Sequence, residues 1–200
     1  MRAAYGFVQT TRLIKSLGVA LLLTFASGSV EYGIGTFLFL TFSFAFNDWI
    51  DAPKDKIGHP NRAIPSGKLT RQQALYISMA LFTIGVSWSI FFLSDYIRGF
   101  SIIYFFSILY SWILKPNIPI FATPLWSWAI AILFLQPFSA DLSAYLGVAI
   151  IVYAYELLLD YRDRKADKEF CKTPTLSNIL GKSTQIIAGT LFLSGIALLA

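Results

Sequence analysis

TFLFLTFSFAFNDWIDAPKDK, residues 36–56, runs from an unbroken apolar stretch into three aspartates spread over eight positions. YELLLDYRDRKADK, residues 155–168, repeats the transition after another apolar stretch. Working outward from these two boundaries, apolar runs fall at 13–29, 32–46, 72–94, 99–114, 118–138, 142–159 and 183–200. A membrane-spanning helix needs roughly 17–25 residues, so most of the runs qualify and the shorter ones are marginal. Inside lipid each backbone polar group needs an internal partner, which makes these runs helical. Strands would alternate with period two, and FFLSDYIRGFSIIYFFSILY, residues 91–110, does not. The expected fold is all-α: a polytopic transmembrane bundle of about seven helices, forming one domain over 1–200.

Composition agrees. The chain is 56% hydrophobic and only 14% charged, against about 45–50% and about 25% in an average soluble domain. A net charge of +5 invites a nucleic-acid reading, but the basic residues sit in short loops between apolar runs. Membrane orientation accounts for that placement, so no nucleic-acid partner is expected. Cys171 is the only cysteine and permits no internal disulfide. Arg2, Arg12 and Lys15 before the first apolar run resemble a signal peptide, yet the later runs of equal strength make it a first span. With the N-terminus in the cytoplasm, fifteen of the sixteen Lys and Arg residues fall on the cytoplasmic side and only Arg98 on the other. The long polar segments 47–71 and 160–182 then both emerge in the cytoplasm, and their aspartates are expected to face one another.

Asp48, Asp51 and Asp55 have the spacing i, i+3, i+7, and so do Asp160, Asp163 and Asp167. At 3.6 residues per turn such a triplet occupies a stripe about 60° wide on one helix face. Pro53 is expected to break the first helix, with a short new one starting near Ala52. Charge at helix ends is commonly just solvated. Two triplets of one spacing on one membrane face point instead to a site. Like charges about 4 Å apart repel by about 4 kcal/mol at an effective dielectric near 20, so the clusters call for cations. Mg²⁺ takes hard oxygen ligands, commonly one or two carboxylates together with substrate phosphates. Two carboxylate clusters with Mg²⁺ therefore describe a diphosphate site.

NDWIDAPKDKIGHPNRAIPSG, residues 47–67, resembles the first signature of the UbiA superfamily of intramembrane prenyltransferases, N-D-x-x-D-x-x-x-D. Asn47, Asp48, Asp51 and Asp55 fill each of its positions. NRAIPSG resembles the N-R-P-I-P-S-G of the chlorophyll synthase and geranylgeranylglyceryl-phosphate synthase branches, with Ala63 where proline is usual. ELLLDYRDRKAD matches the second signature, D-x-x-D-x-x-x-D, with Leu159 and Ala166 replacing a common lysine and glycine. TPTLSNILG resembles the T-L-P…G that follows, and YSWILK, residues 110–115, the family's Y-S…K segment. Family members usually have nine helices, so either this sequence is truncated after the seventh or its cavity is completed differently.

The resemblance implies a lateral cavity beneath cytoplasmic Asp-rich loops, where an allylic prenyl diphosphate ionises and its prenyl group passes to a lipophilic acceptor, an aromatic one in the first instance. It implies Mg²⁺ on Asp48, Asp51, Asp55, Asp160, Asp163 and Asp167, with Asp51, Asp163 and Lys115 as the catalytic residues. Asn47, Arg62, Tyr110 and Lys115 are expected at the diphosphate, and Phe42, Phe46, Tyr104 and Tyr110 could steady an allyl cation. Trp49, Trp112, Trp126 and Trp128 suit interfacial belts. His59 reads as a turn residue rather than a base, and Arg12 and Lys15 are candidates to meet an acidic acceptor. Two other readings remain open: a terpene cyclase of the same superfamily, which needs no acceptor, and a non-catalytic prenyl-lipid binding protein.

Overall fold

The computed structural model of the chain describes residues 2–199, with side chains from Ala4 onward. The side chain of Arg2, one of the basic residues assigned to the cytoplasmic face, lies outside the described residues, as does Ala200 at the end of the seventh apolar run. Every apolar run is helical, and no strand occurs among the described residues. The helices gather into two compact units, Met1–Tyr104 and Phe105–Ala200.

The first unit holds α1 (Arg2–Thr10), α2 (Leu13–Ser27), α3 (Val30–Gly58) and α4 (Arg71–Phe92). The helices α2 and α4 both pack on α3. Ser29 caps α3 by accepting from the Tyr32 N–H, and Thr70 and Gln73 form a reciprocal capping box at the start of α4. Between α1 and α2 the chain bends by 51°. Arg12 takes up the bend in the left-handed region, at φ 46° and ψ 44°.

The helix α3 runs unbroken through Pro53, contrary to the expected break near Ala52. Proline removes the hydrogen bond to the carbonyl four residues earlier, which here is Trp49. The Trp49 carbonyl instead accepts from Arg71 Nε at 3.1 Å, and the Arg71 guanidinium lies 5.4 Å from the Trp49 ring centroid. A side chain from the next helix thus satisfies the orphaned acceptor, and the helix continues. Its 29 residues extend about 43 Å, enough to cross a hydrocarbon core and project beyond it.

A helix α5 (Ile97–Leu109) leads into a π-helical turn at Tyr110–Leu114 and a single turn α6 (Lys115–Asn117). The second unit continues with α7 (Pro119–Leu135), α8 (Leu142–Phe170), the short α9 (Leu176–Leu180) and α10 (Ser183–Ala197). Both α7 and α10 pack on α8. At the α8–α10 contact a Cβ on Gly195 would stand 2.8 Å from the Gly147 carbonyl oxygen, so this approach requires the two glycines.

Three stretches, Arg71–Phe92, Ser94–Asn117 and Leu142–Phe170, are long and apolar enough to span a membrane alone, and the bent α1–α2 pair makes a fourth. The helices α7 and α10 are shorter. Because α3 and α8 extend well past their apolar runs, both aspartate triplets sit on helix, and irregular chain starts only at His59 and Cys171.

Candidate functional site

Each triplet occupies the polar end of a long helix, one in each unit. Asp48 is buried and accepts from Thr10 Oγ1 at 3.0 Å; Arg12 Nη2 lies 3.5 Å from its other oxygen. Arg62 Nη1 stands 2.8 Å from both oxygens of the buried Asp55 and 3.9 Å from Asp48. Asp51 accepts from Asn47 Nδ2 at 2.7 Å, and Lys54 Nζ is 3.8 Å from it. The chain's own cations Arg12, Lys54 and Arg62 therefore meet the first triplet. Burial still pushes the Asp55 carboxyl above its usual range, and the neighbouring Arg62 only partly offsets that rise.

On α8, Asp160 is buried and accepts from Thr123 Oγ1 on α7 at 3.4 Å. Asp163 binds its neighbour Arg162 through two contacts, 2.7 Å to Nε and 3.0 Å to Nη2, with Arg162 half exposed. Asp167 is buried, and its backbone carbonyl accepts from the Cys171 N–H that caps the helix.

The remaining candidates are distributed as follows. Tyr110 opens the π-helical turn, stacked on Trp126 at 5.0 Å, with Lys115 Nζ 5.7 Å from its ring centroid. Such turns are frequent at functional sites. Phe42, Phe46 and Tyr104 belong to one buried aromatic cluster in the first unit, whereas Tyr110 belongs to the second. His59 is the C-cap of α3, its N–H bonding the Asp55 carbonyl. Trp112 and Trp128 are exposed, and Trp126 is engaged by Tyr110.

Thr10 and Thr123 were not among the residues singled out from the sequence. They lie 38 and 37 residues from the aspartates they serve, beyond any local spacing rule. The readable hint is a threonine standing in an apolar helix, where a polar side chain needs a partner.

Among the described residues, no three Asp, Glu, His or Cys side chains are gathered to enclose one ion. Mg²⁺ does not require that: it commonly takes one or two carboxylates and completes its shell with water and phosphate oxygens. The donor set fits such an ion. Its oxygens are hard, and Asp55 sits where burial outweighs the positive charge supplied by Arg62. Asp48, Asp51 and Asp55 in the first unit, and Asp160, Asp163 and Asp167 in the second, are the carboxylates such an ion would draw on.

Aspartate triplets at the ends of long apolar helices are the pattern by which the sequence resembles the intramembrane prenyltransferases. The chain belongs to the UbiA prenyltransferase family, whose sequence profile matches residues 16–200. It is 33% identical over 160 residues to the digeranylgeranylglyceryl phosphate synthase of Pyrococcus furiosus, covering 73% of this chain and 54% of that protein. It is 30% identical over 163 residues to the enzyme of the same name from Pyrococcus horikoshii, again covering 73% and 54%. The chain thus spans about half the length of the curated relatives it matches. Among solved structures, a UbiA homologue from Archaeoglobus fulgidus bound to DMAPP and Mg²⁺ shares the fold, with a TM-score of 0.72 at 12% identity over 96% of this chain and 75% of that one. A structure of a digeranylgeranylglyceryl phosphate synthase gives 0.67 at 19% identity, covering 99% and 76%. Members of this family are integral membrane proteins, and the apolar helices agree with that.

Proposed function

We propose that the protein transfers a prenyl group within the membrane, from an allylic diphosphate to the hydroxyl of a lipophilic acceptor that carries an anionic head. The observation that carries this reading is the repeated i, i+3, i+7 triplet at the polar ends of α3 and α8, in a chain of this family. Both ends are proposed to face the cytoplasm, following the distribution of Lys and Arg.

Ionisation breaks the C–O bond between the allylic carbon and the diphosphate, and negative charge accumulates on the leaving oxygens. Bound Mg²⁺ supplies positive charge there. The aspartates position that charge, and Asn47 orients Asp51 through its 2.7 Å hydrogen bond. Lys115 and Arg62 are assigned to the departing diphosphate, whose charge they stabilise more as it grows. Tyr110, beside Lys115, is assigned to the same group. The acceptor oxygen forms the new bond to the allylic carbon, and its proton passes to the departing diphosphate.

The relatives' name describes a glyceryl phosphate carrying two geranylgeranyl groups, which suggests an acceptor with a phosphate head. A cavity of about 430 Å³ in the first unit supports that choice over an aromatic ring. Arg12, Lys15 and Arg62 line it beside Asp48, so cations suited to an anionic head adjoin one of the carboxylates assigned to the metal.

Membranes carrying the protein should convert geranylgeranyl diphosphate in a Mg²⁺-dependent reaction that requires a prenylated glyceryl phosphate. Asp51→Asn and Asp163→Asn should each lower turnover by about 100-fold or more. Unchanged turnover in both would remove the metal-site assignment. A cyclic product formed without acceptor would mark a cyclase, and binding without bond cleavage a carrier.

A further inference from the structure

Beyond the aspartates, α8 and the polar segment after it wall a second cavity, of about 510 Å³. Arg164, Lys165, Lys168 and Lys172 line it together with Ser177 and Asn178, and no carboxylate is among its lining residues. Four cations drawn round one hollow repel each other unless something negative lies between them. Two buried donors, Asn178 Nδ2 and Arg164 Nη1, have no hydrogen-bond partner among the described residues. Buried N–H groups are seldom left unmet, so each marks a place for an acceptor. The Arg164 guanidinium is set in position by the Tyr161 ring, 4.2 Å away.

A phosphoryl group suits this combination: it carries multiple charge, several acceptor oxygens and a strong preference for guanidinium and ammonium partners. We propose that this hollow binds a phosphoryl group, separately from the aspartate site, since Asp160, Asp163 and Asp167 take no part in its wall. It lies between the polar end of α8 and the short α9, and basic pockets at the ends of apolar helices meet the headgroups of anionic lipids. The same chemistry would take free phosphate.

The test uses the purified full chain in neutral detergent, without Mg²⁺ or prenyl diphosphate, and any phosphate held at Arg12, Lys15 and Arg62 contributes equally to the parent and the lysine variants. Short-chain phosphatidic acid, phosphatidylcholine and inorganic phosphate are titrated separately, with thermal unfolding and native mass spectrometry as readouts. Phosphatidic acid should bind and raise the melting temperature, and phosphatidylcholine should not. Lys168→Gln with Lys172→Gln should weaken binding by about tenfold or more, since each cation near such a group contributes substantially. Both lysines are exposed, so their neutralisation leaves the fold intact. Lys168→Arg with Lys172→Arg should retain binding, and Asp51→Asn should not alter it. Binding of phosphatidic acid alone assigns a headgroup, and equal binding of inorganic phosphate assigns the free anion. No binding of either probe, or equal binding in the Gln and parent proteins, overturns the site.

Discussion

The two aspartate triplets share one spacing and sit in different electrostatic settings. At Asp48, Asp51 and Asp55, three cationic side chains converge, two of them from outside the helix: Arg12 from the α1–α2 bend and Arg62 from the turn after α3. At Asp160, Asp163 and Asp167 the contacts are of another kind, a threonine hydroxyl from α7 and a half-exposed arginine one position along α8. Identical spacing therefore sets the direction of the carboxylates without setting their charge balance. Folding supplies that balance by bringing in distant residues. The first triplet is met by Arg12, Lys54 and Arg62 within its own unit, and the described contacts of the second include the Thr123 hydroxyl and the Arg162 guanidinium.

The sharpest way to break this contrast is to remove one arginine from each side. Arg62→Ala leaves the buried Asp55 carboxylate without the guanidinium nitrogen that meets both its oxygens and should destabilise the protein by about 3–5 kcal/mol, the usual consequence of stranding one half of a buried pair. Arg162→Ala removes a partner that is half exposed and should cost about 1 kcal/mol or less. Thermal unfolding of both variants in one detergent gives the comparison directly. Similar losses would show that the two triplets are held alike.

Much of this was legible in the sequence, and the illegible part has a physical pattern. The apolar runs marked the helices, because lipid forces the backbone into internal hydrogen bonding whatever its neighbours are. The Asp triplets were local too, so spacing alone was enough to single out the six aspartates, while Asn47 came with the family resemblance. Continuity through Pro53 could not, because it rests on Arg71 donating to a carbonyl on the preceding helix. Nor could the roles of Thr10, Arg12 and Thr123, which meet their aspartates across 36 to 38 residues of chain. Local rules describe what one helix presents; contacts between helices decide which charges it meets.

A milder probe replaces the two threonines. Thr10→Val removes a 3.0 Å hydrogen bond from the buried Asp48 and should destabilise by about 1–2 kcal/mol, the cost of leaving a buried acceptor poorly served. Thr123→Val removes a 3.4 Å bond to Asp160, and the longer distance implies a loss of about 0.5–1 kcal/mol. If Thr123→Val proves the more harmful, Asp160 relies on that hydroxyl more than Asp48 relies on Thr10, and the contrast between the triplets reverses.

One more comparison isolates the bend that delivers Arg12. Its φ of 46° is a conformation that an L-residue adopts at a cost of about 1 kcal/mol and glycine adopts freely. Arg12→Ala and Arg12→Gly both delete the guanidinium near Asp48 and over the Phe44 ring, so those losses cancel when the two variants are compared. What remains is backbone strain, and Arg12→Gly should be the more stable by about 1 kcal/mol. Equal stabilities would mean that the chain leaves the left-handed conformation once the arginine is gone. In that case the pull of Asp48 and Phe44 on the guanidinium holds the bend, and the bend is not itself what brings Arg12 to the first triplet.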